Sequence, residues 1–387
     1  MAHIEDRRDQ GRGWRVRYRA PDHRELSRSF RLKSDAERFA VAIESSKLRG
    51  EWVDPRLGRT SFGEWAQRWA STTVGLKPKT QQGYESLLRA HLLPAFGDIP
   101  LVRIQPVDVR EWVARLSGRQ GLSSSRVRQA HQLLSMILKA AVESGYLART
   151  PCVGVRIPRT PQREQVILRP DQIDLLAAAT GEYGVLIYVL AYAGIRWGEA
   201  AALRRARCYL LRARIEVAES LADVSGQLHF GPTKTYARRW ARLPRAVSEM
   251  LAFHLERNVA DDPNALVFTS TEGGPLRYNN FRTRVWSKAL RNLEGELPKG
   301  LSIHHLRHTC ASLLIREGAS VKAVQEQLGH SSPTVTLGVY AHLFADDLDD
   351  LFERVDRVYM RSHAAPSRPQ RGPALLEATE KRSRNAV

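Results

Sequence analysis

Cysteine is scarce in this chain of 387 residues: there are three, Cys152, Cys208 and Cys310, an odd number with no C-x-x-C spacing. Neither a disulfide framework nor a zinc site is indicated, and the count fits a reducing, cytoplasmic setting. No apolar run approaches the roughly 20 residues that a membrane-spanning helix needs, so no membrane partner is expected. The first residues are charged and polar where a signal peptide is apolar. A phosphate loop of the G-x-x-x-x-G-K-[ST] type is missing, as is a carboxylate cluster suited to catalytic magnesium, so neither a metal nor another cofactor is expected. Carboxylates are also outnumbered: 60 Lys and Arg face 41 Asp and Glu, a formal charge of +19. That excess points to a polyanion such as nucleic acid, although arginine spread along the whole chain also fits a compositional bias of the source genome. The length and the 43% hydrophobic content suit two or three globular domains.

The most informative stretch runs from His304 to Tyr340. Leu306, Cys310, Leu313 and Leu314 recur at helical spacing, which leaves His304, Arg307 and His308 on the opposite side. Gly318 stops that helix, Ser320 caps the next, and Gly329 ends it in turn, which puts His330 just past a helix end. A Ser/Pro/Thr-rich turn then leads to Tyr340, and a second amphipathic run follows through Leu343, Leu348, Leu351, Phe352, Val355 and Val358. The H-x-x-R of His304 to Arg307, the L-G-H of Leu328 to His330, and a tyrosine ten residues later resemble box II of the tyrosine recombinases, the phage-integrase family. Upstream, AYAGIRWGEAAAL at Ala191 to Leu203 resembles box I with its arginine at Arg196, and in GPTKT the residue Lys234 stands where the family has its hairpin lysine. Four motifs in the right order carry this resemblance where one alone would not.

The chain falls into five expected regions: 1–57, 58–155, a linker at 156–170, 171–360, and a tail at 361–387. In the first, Trp14, Val16 and Tyr18 alternate with Arg15, Arg17 and Arg19, so a strand would pack with one face and bind phosphate with the other. A turn at Pro21 and Asp22, a second strand through Leu26, Phe30 and Leu32, and a helix capped by Ser34 complete it. This resembles the arm-type DNA-binding module of phage integrases; a solvated basic hairpin is the plainer alternative. Residues 58–155 read as four helices, the second capped by Thr80 and ended before Pro94, and resemble the family's helical core-binding domain. Lys77, Lys79, Arg126, Arg128 and Lys139 are its candidate DNA-backbone contacts, although each singly also reads as a solvated charge. The linker RIPRTPQREQVILRP carries three prolines and four arginines and reads as extended and basic. The resemblance implies a mixed α+β catalytic domain after it, mostly helical, with strands between Arg214 and Leu243. The tail, with six basic and two acidic residues, reads as disordered.

These residue types suit phosphoryl transfer. Displacement at a phosphodiester needs a nucleophile, charge stabilisation on the non-bridging oxygens and a proton for the leaving oxygen. Arg196 and Arg307 supply planar, permanently charged forks. Lys234, in a turn between strands, could protonate the departing 5′-oxygen, His304 and His330 could share proton handling, and Tyr340 is the candidate nucleophile. Glu199 reads as a buttress for a basic neighbour or as an ordinary helix-surface carboxylate. His304 is preferred over His305 because it alone stands three residues before Arg307, with the reverse assignment left open; His308 reads as structural. Tyr278 and Tyr359 lack the spacing.

The resemblance implies a site-specific DNA recombinase, the integrase of a phage or other mobile element, acting through a 3′-phosphotyrosyl intermediate without ATP. It further implies four protomers in a synaptic complex on double-stranded attachment sites, DNA-bending or directionality factors as further partners, and a nucleoid-associated place in a bacterial cell. The amphipathic run after Tyr340 would dock on a neighbouring protomer or pack in cis. Two alternatives remain open: a type IB topoisomerase, and an architectural DNA-binding protein without catalysis.

Overall fold

The computed structural model of the chain describes residues 2–10, 13–20, 23–54, 56–118, 120–159, 165–233, 238–344 and 347–363. It divides into two compact units, residues 1–164 with 222–229, and residues 165–221 with 230–387.

The first unit begins with an antiparallel sheet of β1 (His3–Asp6), β2 (Trp14–Arg19) and β3 (Glu25–Phe30), in that order, braced by α1 (Lys33–Leu48). Alternation along β2 buries Val16 and Tyr18 against Ala36, with Phe30, Phe39 and Ile43 around them. Two expectations are corrected here. There are three strands and not two, because HIED in β1 carries little strand signal of its own and forms by pairing with β2. The helix starts at Lys33 with Leu32 at its N-cap, so Ser34 lies inside the first turn and caps nothing. The turn expected at Pro21 and Asp22 lies outside the described residues.

Four further segments share a separate core. They are α2 (Phe62–Thr72), α3 (Pro78–Leu87) continuing to α4 (Leu93–Phe96), α5 (Pro106–Ser117) and α6 (Ser124–Glu143). Ser61 and Glu64 close a capping box at the start of α2, and Ser123 caps α6. Along α6, Val127, Ala130, Leu134, Ile137, Leu138 and Ala141 are buried at helical spacing. The Trp65 indole N–H donates to the Ile137 carbonyl at 2.9 Å, so a large apolar ring is buried with its polar atom satisfied. The α3 segment departs from expectation at both ends. Pro78 takes the first helical position, where its missing N–H costs nothing, so the cap falls at Lys77 and not at Thr80. The chain also remains helical through Pro94, because a wide turn at Leu88–Leu92 precedes the proline, with the Leu93 N–H donating to the Leu88 carbonyl. In the linker, residues 156–159 and 165–169 form neither helix nor strand, and Pro170 takes the first position of the helix that follows.

The second unit is built around α8 (Gly184–Ala193), flanked by α7 (Pro170–Ala179) and followed by the short α9 (Trp197–Ala201). Its run GVLIYVLAYA is apolar on most sides and buries Leu186, Ile187, Val189, Leu190, Ala191 and Ala193. Next come β4 (Cys208–Tyr209), β5 (Arg214–Val217), β6 (Glu219–Val224), β7 (Gln227–Pro232) and β8 (Arg239–Arg242), of which residues 222–229, the tip of β6 and β7, are counted with the first unit. They form a β4-β5-β8 sheet and a β6-β7 pair. The helices α10 (Arg245–Asn258), α11 (Tyr278–Phe281), α12 (Ser287–Asn292), α13 (Ile303–Arg316), α14 (Val321–Leu328), α15 (Pro333–Phe344) and α16 (Asp347–His363) complete the unit. Tyr340 lies within α15, so the Ser/Pro/Thr-rich segment contributes only a short turn before Pro333 starts the helix. Of the tail expected to be disordered, 361–387, residues 361–363 instead continue α16, and residues 364–387 lie outside the described residues.

Candidate active site

Two glycines bring the site together. Gly194 ends α8 at φ +63°, and a Cβ there would lie 2.6 Å from Leu328 Cδ2 and 2.8 Å from Cys310 Sγ. Only glycine lets the end of α8 approach α13 and α14 so closely. Gly329 ends α14 at φ +67°, and a Cβ there would lie 2.5 Å from the Arg239 side chain. Their carbonyls then hold the two motif arginines. Arg307 Nη1 donates to the Gly194 carbonyl at 2.6 Å, and Arg196 Nη2 reaches the Gly329 carbonyl at 3.5 Å.

Arg196 is the N-cap of α9, one residue past Ile195, in extended backbone conformation. Its backbone N–H donates to Glu199 Oε2 and its Nη1 to Glu199 Oε1, both at 2.9 Å. Glu199 is buried, and Arg239 on β8 grips its two oxygens as well. Burial alone would raise the carboxyl pKa, but hydrogen bonds and charge from Arg239 and Arg196 outweigh it and hold the group ionised. Glu199 is therefore a buried buttress shared by two arginines.

Arg307 is almost wholly buried, and its Nη2 has no hydrogen-bond partner among the described residues. Burial, then the nearby Arg196, brings its pKa down to about 10, which leaves it cationic at neutral pH. A buried guanidinium with a spare donor is primed for an incoming anion. His304 stands in the first turn of α13 on an exposed position, its pKa lowered by desolvation and then by Arg307 and Arg196. His305 is engaged elsewhere, accepting from the Ser302 backbone N–H at 2.9 Å at the helix start.

His330 is fixed by its backbone, whose N–H donates to the Gln325 carbonyl and whose carbonyl accepts from Gln325 Nε2. Its ring Nδ1 lies 2.9 Å from the buried Thr336 hydroxyl, and burial followed by Arg307, Arg196 and Arg239 lowers its pKa to about 4. Tyr340 is 1% exposed, with its hydroxyl 2.7 Å from His308 Nδ1. Burial pushes the phenol up to about 12 against the opposing pull of Arg307.

The structure thus gathers Arg196, Glu199, His304, Arg307, His330 and Tyr340 on α9, α13, α15 and the turn after α14. Lys234 lies outside the described residues. Two residues at the site were missed by sequence reasoning. Arg239 had no motif of its own; its only signal was its place five residues past Lys234. His308, read as structural, contacts Tyr340 directly, and its signal was a position one helical turn beyond His304. Among the described residues no group of three or more His, Cys, Asp or Glu could hold a metal ion.

The basic candidates of the first unit are mostly engaged with protein. Arg17 pairs with Glu5 at 3.1 Å and Glu25 at 3.5 Å, and Arg15 donates to the Ser27 hydroxyl. Arg19 at the strand end is exposed. Lys79 donates to Gln82, Arg126 to Ser86, and Arg128 to the Pro158 carbonyl, while exposed Lys139 lies 3.8 Å from Glu143. Lys77 is the N-cap of α3.

A mainly helical unit with small sheets, carrying this arginine, histidine and tyrosine set, belongs to the class of DNA strand-transferring enzymes called tyrosine recombinases. The chain is a member of the phage integrase family. Residues 167–346 match the family's profile, and residues 61–117 match that of its N-terminal SAM-like domain. The integrase of Mycobacterium phage D29 is 26% identical over 323 residues, covering 80% of this chain and 84% of the relative. Among solved structures, the Tn1549 transposon integrase in complex with a circular intermediate DNA superposes with a TM-score of 0.67 at 22% identity, covering 76% of this chain and 99% of that one. The lambda integrase tetramer bound to a Holliday junction gives 0.53 at 18% identity, covering 87% and 94%.

Proposed function

We propose that this site-specific recombinase is the integrase of a phage or other mobile element, cutting and rejoining duplex DNA through Tyr340. The observation that carries the reading is the gathering of two arginine forks, the histidines His304 and His330 and a tyrosine around one small volume of the second unit. Arg196 and Arg307 bind the non-bridging oxygens of the scissile phosphate, Arg307 through its unpartnered Nη2. His304 and His330 complete the hydrogen bonding, and Glu199 holds Arg196 at the mouth of the site. Tyr340 displaces the 5′-oxygen, which Lys234 protonates, and a phosphotyrosyl ester conserves the bond energy for rejoining.

In this reading, residues 1–57 are the arm-binding module, 58–155 the core-binding domain, 156–170 the linker and 171–360 the catalytic domain. Arg15, Arg17 and Arg19 serve arm DNA, with Lys77, Lys79, Arg126, Arg128 and Lys139 on core-site phosphates. A tetramer assembles on paired sites, as the lambda integrase forms on a Holliday junction. The exposed apolar stripe of Phe352, Val355 and Tyr359 on α16 suits docking on a neighbouring protomer. A cavity of about 980 Å³ lined by Tyr192, Trp240, Leu313, Leu314 and Ala323 is a fitting receptor. Bending and directionality factors complete the assembly in the host nucleoid. The test is strand exchange between two labelled duplexes bearing candidate attachment sites, run beside plasmid relaxation. Exchange supports the recombinase; relaxation without exchange points to topoisomerase chemistry.

A further inference from the structure

We propose that His308 is a further catalytic residue, the base that takes the hydroxyl proton from Tyr340 as the tyrosine attacks phosphorus. The proposal rests on the reading of Tyr340 as nucleophile. Tyr340 is 1% exposed, so its proton has no direct path to water, and His308 Nδ1 stands 2.7 Å from the hydroxyl. With the ring proton on Nε2, Nδ1 accepts the hydroxyl hydrogen. Attack by a phenol this reluctant to ionise needs its proton removed during the step.

The surroundings keep His308 available. Burial comes first, followed by His304, His305 and Arg307 from its own helix and His330 from the turn after α14; together they bring its pKa down to about 4. The ring is therefore neutral, and so a free acceptor, at any working pH. The same cationic surroundings oppose protonation while the site is empty. A bound phosphate supplies the negative charge that relieves this opposition, so the base strengthens only when substrate is present. In the step, the Tyr340 Oη–P bond forms as the P–O5′ bond breaks. The phenolic proton moves to His308 Nδ1, and the 5′-oxygen takes one from Lys234. Rejoining reverses each transfer, and the imidazolium returns its proton to Tyr340.

The experiment measures single-turnover formation of the covalent adduct on nicked duplexes tiling the DNA that flanks the coding sequence. The full chain is compared with His308→Gln, His308→Asn and Tyr340→Phe, with thermal unfolding and duplex binding checked for each. Glutamine retains a hydrogen-bond acceptor but cannot take a proton. We expect His308→Gln and His308→Asn to bind duplex normally and to form adduct ~100-fold or more slowly. The defect should persist when the leaving 5′-oxygen is replaced by sulfur, which needs no acid, and the unmodified chain should show on that substrate an acidic limb that His308→Gln lacks. An unchanged rate makes the contact structural, a faster rate makes His308 a latch, and rescue by sulfur makes it the leaving-group acid; each overturns the proposal. If both variants fail to fold, the limb in the unmodified chain decides, and its absence overturns the proposal. Adduct persisting in Tyr340→Phe instead removes the nucleophile assignment beneath it.

Discussion

Arg239 holds both carboxylate oxygens of Glu199, its Nη1 at 3.1 Å and its Nη2 at 2.6 Å, with the two side chains 11% and 1% exposed. The same carboxylate caps the backbone and side chain of Arg196, so one buried anion sets two cations in place. Removing either partner strands the other charge in the interior. Arg239→Gln should therefore lower the unfolding free energy of the chain by about 3 kcal/mol. Urea denaturation measures this, and a loss below about 1 kcal/mol would show that the pair is replaceable by solvent. Glu199→Gln should leave duplex binding intact while slowing cleavage, because Arg196 loses its anchor.

The close approach at Gly194 makes a second prediction. Gly194→Ala introduces both a left-handed backbone penalty and contacts of 2.6 and 2.8 Å with Leu328 and Cys310. Gly295, at φ +95°, has nothing within 4 Å of a built Cβ and serves as the control. We expect the Gly194 substitution to cost about 1–3 kcal/mol more than Gly295→Ala and to displace the carbonyl that holds Arg307. Thermal melts of the two variants compare them directly.

Stability should also respond to acid in a defined direction. His308 and His330 titrate at about 4 in the folded chain against an ordinary value of 6.5. Between those values the unfolded chain takes up protons that the folded chain refuses, so stability is full above pH 6.5 and falls as pH drops toward 4. Glu199, with its pKa lowered, loses its contribution in the same direction at more acidic pH. Midpoints of thermal unfolding at pH 7.5, 6.0 and 4.5 should descend in that order. Replacing both histidines by Gln should flatten the fall from 6.5 to 4.5.

The exposed apolar residues of α16 supply the next prediction. Phe352→Asp combined with Tyr359→Asp should leave the folding of one protomer unchanged, since both side chains are more than half exposed. Assembly on DNA should suffer instead. Mass photometry of complexes on paired sites would show loss of the largest species, while a drop in the melting temperature of free protein would mean that α16 packs in cis.

Much of the helical fold was legible because its signals are local. Apolar spacing along α6 and α13, the Ser320 cap and the terminating glycines each depend on a few neighbouring residues. What was not legible depends on partners distant in sequence. Strand β1 exists because β2 offers it an edge, and the chain beyond α3 stays helical through Pro94 because a preceding wide turn absorbs the proline. At the site, motif spacing picked out residues that the structure brings together, but not their pairings. Nothing near Glu199 says that its main partner is Arg239, 40 residues on, and nothing near His308 says that Tyr340 lies against it. The same separation hides the reason for Gly194, whose constraint comes from Cys310 and Leu328.

Every step of the proposed chemistry depends on the identity of the nucleophile. The measurement is to incubate the chain with nicked duplexes from candidate attachment sites, denature, and map any protein–DNA adduct by peptide mass. The expected result is an adduct on Tyr340 that disappears in Tyr340→Phe while duplex binding is retained. An adduct on Tyr278 or Tyr359, or none on a duplex that the chain binds and protects, would contradict it.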